Sequence, residues 1–283
     1  MILIKRLLDF FLYSNIFISL CASALTFETY LISEKEINWL YLIFVFLSTF
    51  VLYNVQRLFY TRKNISETKS ERHKWIFENK KLLMVLSMTA LTATAVIVFF
   101  FPLKFILWFF PAGLASLFYF IPQINLRAIP LMKAGVVAFV WTCVTYFYPH
   151  LLLSANRSLS IWVSEGWEGT SRFFFLSPLA IAFNIRDVEV DKNSGVKTLP
   201  VLFGIQKTKI ICVFFLMTFS VMIIFSPSPF DKVVMGLIFS SFVTAILICF
   251  ASKKRSEYFY SLWMDGMMIF QMGLVVLQNF SCR

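Results

Sequence analysis

The stretch AFNIRDVEVDKNSGVKTLPVLFG, residues 182–204, places Arg186 and three acids, Asp187, Glu189 and Asp191, directly behind an apolar run. On a helix, Asn184, Asp187 and Asp191 fall at i, i+3 and i+7, which lines their oxygens along one face and turns Glu189 away. Such a row suits Mg2+, which takes one or two carboxylates and completes its shell with water and substrate phosphate oxygens. Arg186, Lys192 and Lys197 are close enough in sequence to meet the same phosphate. A solvated, charged helix end has the same spacing, so spacing alone leaves both readings open.

A second stretch, LYNVQRLFYTRKN at residues 52–64, leaves an apolar run in a similar way but carries no acid. Asp265, in SLWMDGMMIF, lies about seven residues into the last apolar run, roughly 10 Å of helical rise from its inner end. An ionisable residue at that depth is a functional candidate, with a buried acid bonded to a neighbouring helix as the structural alternative. His73 and His150 have no metal-spaced partner, and no His-Asp-Ser or His-Cys set can be assembled. Cys21, Cys143, Cys212, Cys249 and Cys282 are scattered without CxxC spacing, which argues against a disulfide framework or a metal site.

The elements that must carry these residues are membrane helices. With 59% hydrophobic and 14% charged residues in 283, the chain has more apolar surface than one soluble core buries. Nine candidate spans are predicted, roughly 7–29, 37–58, 81–101, 105–121, 131–153, 171–190, 210–226, 233–251 and 258–280. The fourth and seventh are short, and the sixth carries Pro178. With the N-terminus in the cytoplasm, nine spans place 20 of the 26 lysines and arginines inside and 6 outside, as short cytoplasmic loops prefer. Omitting the sixth gives 14 inside against 12 outside, so nine is the better arrangement.

The first apolar segment is too long for a signal-peptide core and lacks a small-residue cleavage site, so it is expected to stay in the mature chain. Topology and attraction to anionic lipid account for most of the net charge of +11, so no nucleic-acid partner is expected. One helical domain, 1–283, accounts for the whole length. The segment from Ser154 to Arg172 reads as an outer interfacial loop or short amphipathic piece of structural character.

The letters NIRDVEVDKNSGVKTLPVLFG closely resemble the second aspartate-rich motif of the UbiA-type intramembrane prenyltransferases, including Gly195, Lys197, Thr198, Leu199, Pro200 and Gly204. The resemblance implies an all-α bundle of nine transmembrane helices around a central cavity open to lipid. It implies Mg2+ on a prenyl diphosphate, whose loss of pyrophosphate yields an allylic cation captured by an aromatic or other lipid-soluble acceptor. Asp187, Asp191 and Asn184 then become metal ligands, and Lys197 and Lys133, the latter in IPLMKAG, diphosphate contacts. The first motif departs from the family pattern: after Asn54, the acid positions hold Val55, Leu58 and Arg62. In a shifted register the row is Asn54, Arg57 and Thr61, again without an acid.

Two readings follow. In one, Asn54, Arg57 and Arg62 join Arg186 in holding the diphosphate, a guanidinium replacing one metal by bidentate contact with a charge it cannot lose. In the other, the chemistry is lost and the fold binds lipid or diphosphate silently. Asp265 would position the acceptor or take its proton. Tyr119 and Trp141 are candidates for the cavity wall, where ring faces stabilise a carbocation. A transporter is the reading from another class, and against it stands the expectation that only Asp265 is ionisable deep inside. The expected location is a multi-pass protein of the bacterial cytoplasmic membrane, its site facing the cytoplasm.

Overall fold

The computed structural model describes residues 2–63, 71–120, 132–153, 159–226 and 233–281. Among the described residues every regular element is helical. The helices are α1 (Ile2–Tyr13), α2 (Ile16–Ile32), α3 (Trp39–Lys63), α4 (Glu71–Glu78), α5 (Lys80–Val98), α6 (Leu103–Phe120), α7 (Met132–Thr142), α8 (Tyr148–Leu153), α9 (Leu159–Arg186), α10 (Val188–Asn193), α11 (Leu199–Ile224), α12 (Val234–Phe250) and α13 (Asp265–Ser281). Wider π-helical turns, Cys143–Phe147 and Phe259–Met264, join α7 to α8 and lead into α13.

Five stretches are long and apolar enough to cross a membrane: Trp39–Leu58, Lys80–Val98, Met132–Leu152, Leu199–Ile224 and Phe259–Phe280. A sixth is added if Leu3–Tyr13 and Ile16–Ile32, bent by 59°, form one span. The chain is an integral membrane protein, and by this measure five or six such spans lie among the described residues, against the nine expected from the apolar runs. Val234–Phe250 falls short in length, and α9 carries Glu165, Glu168, Arg172 and Arg186 along its course. Phe214, Met217 and Phe242 stand exposed on the outer surfaces, where acyl chains rather than water cover them cheaply.

Six segments close into a ring. α2 packs on α13, α13 on α12, α12 on α11, α11 on α9 and α9 on α7, and the π turn after α7 returns to α2. In the larger apolar core Phe175, Leu179, Ala182 and Ile185 of α9 join Cys212, Leu216 and Phe219 of α11 and Met264, Met267 and Met268. A second apolar cluster joins Tyr41 and Phe44 of α3 to Phe101, Phe105 and Tyr148, through edge-on and tilted ring contacts.

Two local features shape the end that carries the polar motifs. Asn15 takes a left-handed conformation (φ 68°), which asparagine tolerates better than most residues, and so breaks the first apolar run into α1 and α2. In α11, Gly204 has φ 80° and ψ 163°, a region open in practice only to glycine, and it kinks the helix one turn after its start. The seventh apolar run is therefore not short: α11 begins at Leu199, well before residue 210.

The Ser154 to Arg172 segment corrects the sequence reading. Residues 159–172 belong to the 28-residue α9, and Glu165, Glu168 and Arg172 are buried. Each acid has a partner on another element, so the segment's polarity serves the interior rather than an interface.

Candidate functional site

The helix expected to carry the row of oxygens is broken within it. α9 ends at Arg186, Asp187 sits in the sparsely populated bridge region (φ −89°, ψ 9°), and α10 starts at Val188. The winding continues through backbone bonds from Asp187 N to Phe183 O (3.0 Å) and Asp191 N to Asp187 O (2.9 Å). Asn184 and Asp191 are buried, Asp187 is partly exposed, and Glu189 points outward to Lys253 at 2.6 Å. Gly195 (φ 72°) turns the chain out of α10, and Pro200 opens α11, so the letters after the acids supply a helix stop and a helix start.

Each acid is met by a cation. Lys133, at the start of α7 and buried, donates to both Asp191 oxygens at 2.6 and 2.7 Å and lies 3.9 Å from Asp187 Oδ2. Arg186 donates Nε to Asp187 at 2.8 Å and Nη1 to Glu257 at 2.9 Å, while stacking over the rings of Phe183 and Tyr260. Arg57, from the end of the apolar part of α3, lies within electrostatic reach of Arg186, Glu257 and Asp187. The helix-three guanidinium and the helix-nine acid thus belong to one cluster.

Sequence reasoning missed three of its members. Arg72 is carried inward by the short helix α4, whose Arg72 and Ile76 are buried one turn apart while Trp75 packs edge-on against Phe10 and Tyr13. Its Nη2 donates to Asn15 Oδ1 at 2.8 Å and its Nη1 to Ser261 Oγ at 3.3 Å. Burial, with Arg57 beside it, pushes the Arg72 guanidinium down to about 9, so it stays charged at neutral pH. Asn15 donates to Asn54 Oδ1 at 2.8 Å, which ties the α1–α2 bend to α3. Glu257, before the second π turn, is the third. The signals available were the isolated Asn15 in an apolar run and the i, i+4 pair of Arg72 and Ile76.

The remaining candidates sort plainly. Asn54 is fully buried, and its amide is engaged by Asn15, the Ser14 carbonyl and the Phe50 carbonyl. Asp265 is buried within the fields of Arg72, Arg186 and Arg57, and its carbonyl accepts the Cys21 thiol at 3.3 Å. Trp141 donates to Tyr53 Oη at 3.2 Å. Lys197 is exposed in the turn between α10 and α11. The side chains of Arg62 and Tyr119 lie outside the described residues.

Among the described residues no three acids, histidines or cysteines converge as a metal cage. The donor set is a pair of carboxylates, Asp187 and Asp191, with the buried Asn184 one turn before Asp187. It fits an ion such as Mg2+ that draws the rest of its shell from water and phosphate, and does not fit a metal held by protein ligands alone.

Solved structures show where this architecture recurs. A UbiA homolog from Archaeoglobus fulgidus bound to DMAPP and Mg2+ aligns over 95% of this chain and 96% of its own, with a TM-score of 0.62 at 13% identity. The GPP and Mg2+ complex of a UbiA homolog from that organism gives 0.63 at 12%. The fold is that of the UbiA homologues. A digeranylgeranylglyceryl phosphate synthase shares it too, with a TM-score of 0.55 at 16% identity over 98% of both chains. No protein-family model and no curated protein sequence matches the chain. In this UbiA fold the acids after α9 and the guanidinium of α3 come together at one end of the helical ring, although the chain shares few residues with its structural neighbours.

Proposed function

We propose that the chain is an intramembrane prenyltransferase that moves a prenyl group from a prenyl diphosphate to an aromatic or other lipid-soluble acceptor. The observation that carries this is the meeting of Arg57, Arg72, Arg186 and Lys133 with Asp187 and Asp191 in one buried cluster. Arg72 Nε has no partner among the described residues, and a buried guanidinium with an unspent donor favours an anion. The UbiA fold supports the same reading.

In this mechanism Arg57, Arg72 and Lys133 hold the diphosphate, with Arg62, Lys197 and Asn54 as further candidates. Lys133 leaves Asp191 for a phosphate oxygen as the substrate enters. Asp187, Asp191 and Asn184 would hold Mg2+, which offsets the negative charge growing on the departing pyrophosphate. Asn15 and Asn54 fix the bend that aims Arg72. Asp265 orients the acceptor or takes the proton it releases, and Trp141 and Tyr119 line the path of the prenyl chain. The arrangement proposed is one domain, 1–283, with nine spans around a central cavity, the N-terminus and the cluster on the cytoplasmic side and membrane lipid around it.

One observation favours a silent diphosphate-binding relative: both motif acids are already neutralised by protein cations. The transport reading also regains ground, because Glu28, His150, Glu165, Glu168 and Arg172 are buried as well as Asp265, contrary to the expectation of a lone deep acid. Transfer of a labelled prenyl group to lipid acceptors in vesicles separates the three. Activity lost in both Arg57→Ala and Asp187→Ala supports the transferase. Binding without turnover supports the silent relative, and flux into sealed vesicles without transfer supports a transporter.

A further inference from the structure

Glu28 lies toward the other end of α2 from Asn15, roughly 20 Å along the helix at 1.5 Å per residue. Around it the chain buries a second polar cluster that the proposed diphosphate chemistry does not use. Arg172 of α9 donates Nη2 to Glu28 Oε1 at 2.8 Å and Nη1 to the Leu25 carbonyl at 3.1 Å. Tyr146, in the first π turn, donates its hydroxyl to Glu168 Oε2. His150 Nδ1 lies 3.2 Å from Glu165 Oε1, with Ser33 Oγ 3.1 Å from its Nε2.

A cavity of about 20 Å3 opens between Glu28, Glu168, Arg172 and Gln271, and Phe219, Ile223 and Leu237 close its far wall. Gln271 of α13 is fully buried, and neither its Oε1 nor its Nε2 has a partner among the described residues. Glu28 Oε2, also fully buried, is likewise unpartnered. The cavity therefore presents two acceptor oxygens and the two N–H donors of one amide to whatever enters it.

Those groups select their ligand. Water supplies two O–H donors for Glu28 Oε2 and Gln271 Oε1 and a lone pair for Gln271 Nε2, and the volume holds one such molecule. An alcohol has a single O–H and leaves one acceptor unserved. A metal cation cannot accept from Nε2 and would stand beside the Arg172 guanidinium.

Charge adds a second requirement. The wall holds two carboxyl groups, Glu28 and Glu168, against one guanidinium, while Glu165 faces His150 next door and the α11 and α12 sides are apolar. An uncompensated carboxylate this deep is costly, and one proton removes the excess.

We propose that this pocket is a buried-water site, in which one water bridges Glu28 Oε2 to the Gln271 amide beside two carboxyls, Glu28 and Glu168, that together carry one exchangeable proton. The site stands independently of the diphosphate reading.

Infrared spectra of the full chain in lipid nanodiscs, recorded in H2O and D2O, test it. An Asp265→Asn, Glu165→Gln background removes two other deep carboxyls. The expected result is a protonated-carboxyl C=O band, shifted in D2O, that disappears on adding either Glu28→Gln or Glu168→Gln, because one remaining carboxylate balances Arg172. Gln271→Leu should move the band by removing the bridge. A band that survives either glutamate change, or density between Glu28 and Gln271 continuous with a lipid rather than a single water, overturns the proposal. If one glutamate variant does not fold, the other decides.

Discussion

Lys133 Nζ stands 2.6 and 2.7 Å from the carboxylate oxygens of Asp191 and 3.9 Å from Asp187, so a single ammonium holds the space between the two motif acids. Any metal that uses both acids must displace it, and the phosphate that arrives with the metal gives it somewhere to go. Both partners are less than a tenth exposed, so Lys133→Met leaves Asp191 buried without its cation, at a cost of about 3–5 kcal/mol. Unfolding in nanodiscs should show that loss. Added Mg2+ should return part of it, because the freed acids gain a cation. A Lys133→Met protein whose stability ignores Mg2+ would remove Asp191 from the metal site.

His73 reports on the same cluster from outside the spans. Burial first, and then the Arg57 charge, lower its pKa below the ordinary histidine value of 6.5. The unfolded chain therefore binds more protons just below pH 6.5. The stability that neutral His73 contributes is full above that pH and is lost as pH falls through 6.5 toward the lower folded value. Arg57→Ala should raise the His73 pKa by removing the repulsion. An NMR titration of labelled histidine, assigned with His73→Gln, measures it. An unmoved His73 would mean that Arg57 points elsewhere.

The spans were legible because apolar runs of membrane length have few alternatives, and α3, α5 and α13 lie where hydropathy puts them. The acidic motif was legible for another reason: spacing on a helix fixes which side chains share a face, as Asp187 and Asp191 do. Residues that arrive from distant sequence were hidden. The i, i+4 pair of Arg72 and Ile76 in SERHKWIFEN hints at a buried face but does not say that it folds back on α1, since that depends on Trp75 finding Tyr13. The α9 polar segment was misjudged because a charged run between apolar ones reads the same whether it faces headgroups or pairs with Glu28 across the bundle. Partners decide such cases, and one sequence does not name partners.

The two motif glycines should differ in what they tolerate. Neither Gly195 nor Gly204 has an atom within 4 Å of a built Cβ, so backbone conformation alone sets the cost. At Gly195 (φ 72°) the left-handed well also admits asparagine, and Gly195→Asn should be close to neutral. Gly204 (φ 80°, ψ 163°) lies where only glycine is at ease, so Gly204→Ala should cost on the order of 1–3 kcal/mol. Straightening of the α11 kink would also shift the loop that carries Lys197. Thermal unfolding of both variants checks the order, and equal losses would contradict it.

Guanidinium groups in place of first-motif acids make a prediction about metal dependence. A diphosphate held between two acid-bound metals is released when a chelator removes them. Here Arg57 and Arg72 hold part of the anion without metal, so binding of a non-reactive prenyl diphosphate analogue should weaken under chelation yet remain measurable. A charge-assisted hydrogen bond contributes about 1.5–3 kcal/mol, so Arg57→Ala should weaken the metal-free affinity by about 10- to 100-fold. Arg57→Lys keeps the charge but not the fork, and should fall between. Asp187→Asn acts on the other half: it should abolish the gain from Mg2+ while leaving metal-free binding intact. Calorimetric titration of the four proteins with and without chelator separates the terms. If wild-type binding vanishes when metal is removed, the arginines do not replace an ion and act only as partners of Glu257 and Asp187.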